Sequence, residues 1–301
     1  MPNDRYLVAC KSALMMAIFV KYELDLRLVS LGFVVALFSV GIGIGGGALL
    51  APILISVFKF DFKKAASTSL ATIIPISFIG SISHFVLLPN IPDLRYYFMF
   101  IPMCILGAIL GGKALFKWKV RWLKFAFSLF LLLISLKMLG VFDLVSLVYG
   151  NLYEIFFAIE SLIIMLFGVI IGFIAMLLGI GCGLLIVPFY VIIVNLDIHE
   201  AIKLSLTTMF FLTFSSTMIH SRLKTLDIIP LKCLLIPALL GAVTGAIISS
   251  HLSAPILKQI FGIFLFVIAC KYVAEELFIY YSSIRCGTNY RKHSRNVEIR
   301  K

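Results

Sequence analysis

The chain has 301 residues, 62% of them apolar and 13% charged, and its mean hydropathy is +1.12. That content excludes an ordinary soluble globule, and long continuous apolar runs in place of short alternating ones exclude a membrane β-barrel. The net charge of +12 would suggest nucleic acid in a soluble protein; here Lys and Arg flank apolar runs, which makes them topology signals, so no nucleic-acid partner is expected.

In chain order, residues 1–27 come first. Their apolar run from Tyr6 to Val20 is short, carries Lys11 and lacks a small-residue cleavage site, so it reads as an interfacial segment. The run 28–58 exceeds the ~20 residues needed to cross a bilayer and contains "GIGIGGGALLAP", Gly41 to Pro52. Glycine tolerates positive φ and proline ends a helix, so this is a place for the chain to reverse. Apolar runs 67–88, 97–112 and 122–141 complete a first transmembrane repeat, 28–141, followed by a connector, 142–160. The run 161–195 is again too long for one crossing; 201–219, 228–249 and 256–275 follow, closing a second repeat, 161–275, before a basic tail, 276–301. The six cysteines, Cys10, Cys104, Cys182, Cys233, Cys270 and Cys286, are scattered without CxxC spacing. Neither a disulfide framework, a metal site nor a cofactor is expected.

The halves are duplicates. At an offset of 136, Gly43, Ile44, Gly45, Gly47 and Pro52 return as Gly179, Ile180, Gly181, Gly183 and Pro188. Asp61, Ala65, Ser69, Leu70, Thr72, Phe78 and His84 return as Asp197, Ala201, Ser205, Leu206, Thr208, Phe214 and His220. At 134, "GAILG" (Gly107 to Gly111) matches "GAVTG" (Gly241 to Gly245), spacing suited to close helix packing. If 28–58 and 161–195 each enter and leave on one side, 22 of the Lys and Arg residues fall on one side and 4 on the other; eight simple crossings would divide them 16 to 10. The first arrangement obeys the positive-inside rule, places both termini in the cytoplasm and inverts the second repeat relative to the first. The expected fold is therefore an all-α polytopic membrane protein of two inverted repeats, each a broken or re-entrant helix plus three transmembrane helices.

Unpaired amides at the start of each half-helix carry partial positive charge and attract anions. No Asp or Glu lies in the spanning cores, which disfavours a cation pump. "STSLAT" (Ser67 to Thr72) and "KLSLTT" (Lys203 to Thr208) add hydroxyl donors. The candidate substrate-binding residues are Gly43, Gly45, Gly47, Thr68, Ser69, Thr72, Gly179, Gly181, Gly183, Ser205, Thr207 and Thr208. Each hydroxyl could equally bond back to its own helix. His84, His220 and Lys203 are candidates for coupling; the histidines also suit an interfacial structural role, and Lys203 could snorkel to the interface.

The glycine hinge before Pro52, the "A-x-x-T-S-L" helix start at Ala65 to Leu70, their degenerate second copy and the stretch "GAVTGAIISSHLSAPILKQIFGIFLFVIACKYV" resemble the TauE/SafE-type sulfite exporter family over residues 28–275. The resemblance implies a bacterial-type inner-membrane carrier of sulfite or a related small anion. Departures are Cys182 for glycine, and Lys203 and Leu204 before Ser205. The expectation is a secondary transporter working as an exporter by alternating access, with a small anionic substrate and lipid as its partners. An anion channel of the same architecture is the alternative; an intramembrane enzyme is disfavoured because GxSxG, HExxH and paired carboxylates are missing from the spans.

Overall fold

A computed structural model describes residues 26–114, 120–140, 153–179, 181–222 and 228–274. The interfacial segment before residue 26, the connector up to residue 152 and the basic tail lie outside the described residues, as do Cys10 and Cys286. All described secondary structure is helical: α1 Leu26–Ile42, α2 Gly47–Ser56, α3 Phe62–Leu87, α4 Leu94–Ala114, α5 Val120–Met138, α6 Tyr153–Leu178, α7 Gly183–Pro188 running into a π turn at Phe189–Ile193, α8 Ile198–Arg222, α9 Ile228–His251 and α10 Ala254–Ala274. Helix α6 begins inside the stretch 142–160 that the sequence suggested as connector.

Six helices among the described residues are long and apolar enough to cross a membrane, in α3, α4, α6, α8, α9 and α10. The chain is thus a multi-pass membrane protein. Their outward apolar side chains, such as Val86 and Phe98, are the ones lipid solvates. The run 28–58 is two helices, neither of spanning length by that measure; in the run around 161–195 the first arm, α6, is itself long enough to span.

Both long runs break where glycine allows it. Gly43, Gly45 and Gly46 adopt φ of 77°, 80° and 60°, a left-handed region closed to most residues. Gly179 and Gly181 adopt 67° and 74°, and Cys182 follows at 42°. The chain turns back at each break: Gly46 lies against Val35 and Ser39 of α1, and the Cys182 thiol donates to the Ile171 carbonyl at 3.2 Å. Residues 171 and 182 are the 136-offset equivalents of 35 and 46, so the same reversal is made twice. Val35 then shares a buried cluster with Leu50 and Leu54 of α2, Ala65 of α3 and Leu234 of α9.

Apolar contact gains little against lipid, so helices associate here through close backbone approach. Gly241 and Gly245 of α9 lie against the carbonyls of Phe33 and Leu37 in α1, while Gly107 and Gly111 of α4 lie against those of Val169 and Phe173 in α6. The small-residue motifs therefore pack as their spacing suggested, and they do so across the halves. Both seams run parallel. Helices α3 and α8 cross antiparallel: Phe78 meets Phe210 at 5.1 Å, Ser81 meets Thr207 at 2.8 Å, and the Lys203 ammonium sits 6.0 Å from the Phe85 ring.

By compactness the chain divides into Met1–Trp118 with Val145–Lys258, and Lys119–Leu144 with Gln259–Lys301. The first unit holds both hinges and both seams. Within the second, α5 and α10 pack through Phe127 and Tyr272, 6.5 Å apart, and through Gly262 against Leu139.

Candidate functional site

The two hinges touch. A Cβ on Gly45 would stand 2.8 Å from the Gly181 carbonyl oxygen, and one on Gly183 would stand 2.5 Å from that of Gly43, both inside ordinary contact. Gly45 and Gly181 are required by φ and by closeness together; Gly183 has helical φ and is required by closeness alone. Gly47 likewise opens its helix, with its N–H bonded to the Gly45 carbonyl at 2.6 Å. Gly41, which does not recur, faces Gly245 in the α1/α9 seam and is not part of the hinge.

Each hinge is backed by the hydroxyl-bearing helix of the other half. Ile202, Ser205 and Met209 of α8 meet the first hinge, with Ile202 against Gly43 and Met209 against Gly45. Ala66 and Ile73 of α3 meet Gly179 and Gly181, and Ser69 lies on the same face, one turn from each. The Ser205 hydroxyl donates to the Gly43 carbonyl at 2.8 Å. Its equivalent, Ser69, is fully buried with no partner for its oxygen, and the same holds for Thr68 and Thr208. Thr72 bonds back to the Thr68 carbonyl at 2.8 Å. Thr207 bonds to the Lys203 carbonyl at 2.9 Å and faces Ser81 across the helix crossing, away from the hinge glycines.

Reversing a helix strands its last carbonyls, and the candidate coupling residues hold such groups. His84 Nε2 donates to the Val40 carbonyl at 3.1 Å, and His220 bonds the equivalent carbonyl of Met176. The Val40 carbonyl is stranded because the Ile44 N–H has shifted to Ser39. Buried Lys203 donates to the carbonyls of Leu88, at 2.7 Å, and Asn90, just past the end of α3. Its ammonium is turned along the α3/α8 crossing and serves as a helix C-terminal cap. The half-helices start without side-chain caps: neither Gly46 nor Cys182 supplies one. No cluster of metal-ligating side chains occurs among the described residues.

Sequence repetition missed three features. Position 46/182 is left-handed in both halves although only one copy is glycine; the conformation recurs and the residue does not. Ser39, buried without a partner beside Gly46, has Ala175 as its equivalent and so drew no attention from the repeat. Tyr97 and Tyr190 carry buried hydroxyls for the same reason of asymmetry.

The family described as Sulfite exporter TauE/SafE matches residues 9–138 and 164–298. No curated protein matches the chain, and no solved structure does. The match takes in both hinges, both hydroxyl-bearing helices and both glycine seams, and it covers well over half of the sequence: the chain belongs to the sulfite exporter TauE/SafE family, a family of membrane transporters.

Proposed function

We propose that the protein is a secondary transporter that exports a small anion, sulfite or a small organosulfonate or carboxylate, by alternating access between inverted repeats. The observation that carries this reading is Ser69, a buried hydroxyl without a partner on the α3 face that meets the second of two touching hinges, with Thr68 and Thr208 likewise buried and unpartnered on the two helices that back those hinges. An orphan buried hydroxyl costs about 1–3 kcal/mol, which a bound oxyanion accepting its proton would recover. The uncapped start of α2 adds a positive helix end of the kind anions occupy.

Inversion is supported by packing as well as charge. The antiparallel α3/α8 crossing and the parallel α1/α9 and α4/α6 seams are the directions required if the second repeat is the first turned over. The 22 to 4 charge division supports the same inversion, and with it cytoplasmic termini on a bacterial-type inner membrane. Complete burial of the three hydroxyls favours a carrier over a channel, since a channel needs a continuous wet path.

The test is transport by purified protein in liposomes of radiolabelled sulfite, sulfoacetate, thiosulfate and a dicarboxylate. Saturable uptake that accelerates when the opposite face is loaded with the same anion is expected, with KM raised in Ser69→Ala and Thr208→Ala. Absence of transport across the whole panel would sink the reading; non-saturating current would replace the carrier by a channel.

A further inference from the structure

We propose that the hydroxyls of Tyr190 and Tyr97 form a second oxyanion subsite, present on the second-hinge side only, so that the two faces of the transporter bind their anion unequally. This deepens the transport reading and rests on it.

The offset of 136 sets Tyr190 in the place of Leu54. Around Leu54 the first half builds a wholly apolar cluster with Val35, Leu50, Ala65 and Leu234. The equivalents Ile171, Ile186, Ala201 and Phe100 are buried as deeply, so the fold at this place needs only an apolar side chain, and leucine supplies it in one copy. Tyr190 adds a hydroxyl that is completely buried and has no partner. Its ring is fixed by Tyr96 at 5.8 Å, Phe100 at 5.3 Å and Phe189 at 5.2 Å. The backbone differs too: α2 stays α-helical to Ser56, whereas the second half-helix widens into the π turn Phe189–Ile193. Such widened turns concentrate at functional sites, where they re-aim a side chain.

Tyr97, on α4, also has a buried hydroxyl without a well-formed hydrogen bond. Its polar neighbour is the Thr207 hydroxyl, which donates to the Lys203 carbonyl and pairs with Ser81, so the phenol shares that oxygen with Ser81. The equivalents of Thr207, Tyr97 and Tyr190 are Ala71, Leu231 and Leu54, so these three hydroxyls occur on one side of the two-fold arrangement, whereas Ser81 has a hydroxyl counterpart in Thr217. Glu160 is held by the Tyr96 hydroxyl at 3.3 Å and by Arg95 at 3.9 Å, so its charge is paired; Glu200 lies in the first turn of α8. A phenol donor with no protein acceptor, Tyr190, and a second with only the shared Thr207 hydroxyl call for a ligand rich in acceptors and small enough for a packed interior, which describes sulfite or a short carboxylate.

Tyr190→Phe and Tyr97→Phe remove one oxygen each and keep every ring contact. KM for sulfite is measured with full-length protein in right-side-out and in everted membrane vesicles. The expected result is about a tenfold change in the ratio of the two KM values, the worth of one charge-assisted hydrogen bond, with the loss on the face where α3 ends and α8 begins. A smaller sulfite-induced rise in Tm should accompany it in both variants. An unchanged ratio in both variants, or equal shifts on both faces, overturns the subsite while transport itself stands. Failure of the unmodified protein to carry any anion overturns the transport reading instead. Should Tyr190→Phe prove unstable, Tyr97→Phe decides.

Discussion

Ser69 and Ser205 fill the same place in the two halves, yet the same substitution should have opposite consequences. The Ser205 hydroxyl satisfies the Gly43 carbonyl at 2.8 Å in fully buried surroundings. Alanine there leaves that carbonyl without a partner, at about 1–3 kcal/mol. Ser69 holds no partner, so alanine removes a desolvated hydroxyl and should leave stability equal or raise it by up to about 1 kcal/mol. The two variants should then differ by about 2 kcal/mol, roughly 30-fold in the unfolding equilibrium constant. Unfolding in detergent micelles in sulfite-free buffer measures that gap. Transport supplies the second readout: Ser69→Ala should weaken anion affinity about tenfold through loss of a charge-assisted hydrogen bond. Equal destabilisation by the two substitutions would show that Ser69 serves the fold as Ser205 does. A stable Ser69→Ala protein with unchanged KM would refute its place in the site.

Gly183→Ala should cost about 2 kcal/mol net and abolish most transport, because the ~1 kcal/mol helical gain of alanine is outweighed by overpacking against the first hinge's backbone. As a control, Gly140 has φ of 78° and open space around it, so Gly140→Ala should cost about 1–2 kcal/mol of conformational strain and spare transport. Lys203→Met should lower stability by about 1–3 kcal/mol by uncapping the Leu88 and Asn90 carbonyls, with arginine retaining most of it, as read by Tm. Cysteines introduced at Lys59 and Asp197 should react with an impermeant thiol reagent from opposite faces; labelling from one face would contradict inversion.

Composition was enough for the class of protein, because 62% apolar residues leave little else. The hinges were legible because glycine is needed there for two separate reasons, φ and closeness, and both leave the same residue in both copies. Position 46/182 escaped because a left-handed φ can be imposed on cysteine by its surroundings, here the thiol bond to Ile171. Hydroxyl residues were legible as a group but not individually. Whether Thr72 bonds its own helix or Thr68 stays unpaired depends on rotamers and on the neighbouring helix, and repetition carries neither. The histidines illustrate the same limit from the other side: their recurrence marked them, while the carbonyls they hold are created only when the hinge strands them. Asymmetric features such as Tyr190 cannot be found by comparing the halves for identity, only by asking where they differ.

The glycine seams have a further consequence for how the protein is made. Helix α1 finds its close-packing partner in α9, and α6 finds its own in α4, so each half completes the other and neither can complete itself. When the ribosome has finished the first half, α1 and the glycine face of α4 both wait in lipid until helices made much later arrive. Halves produced separately should be degraded, and halves produced together should reassemble.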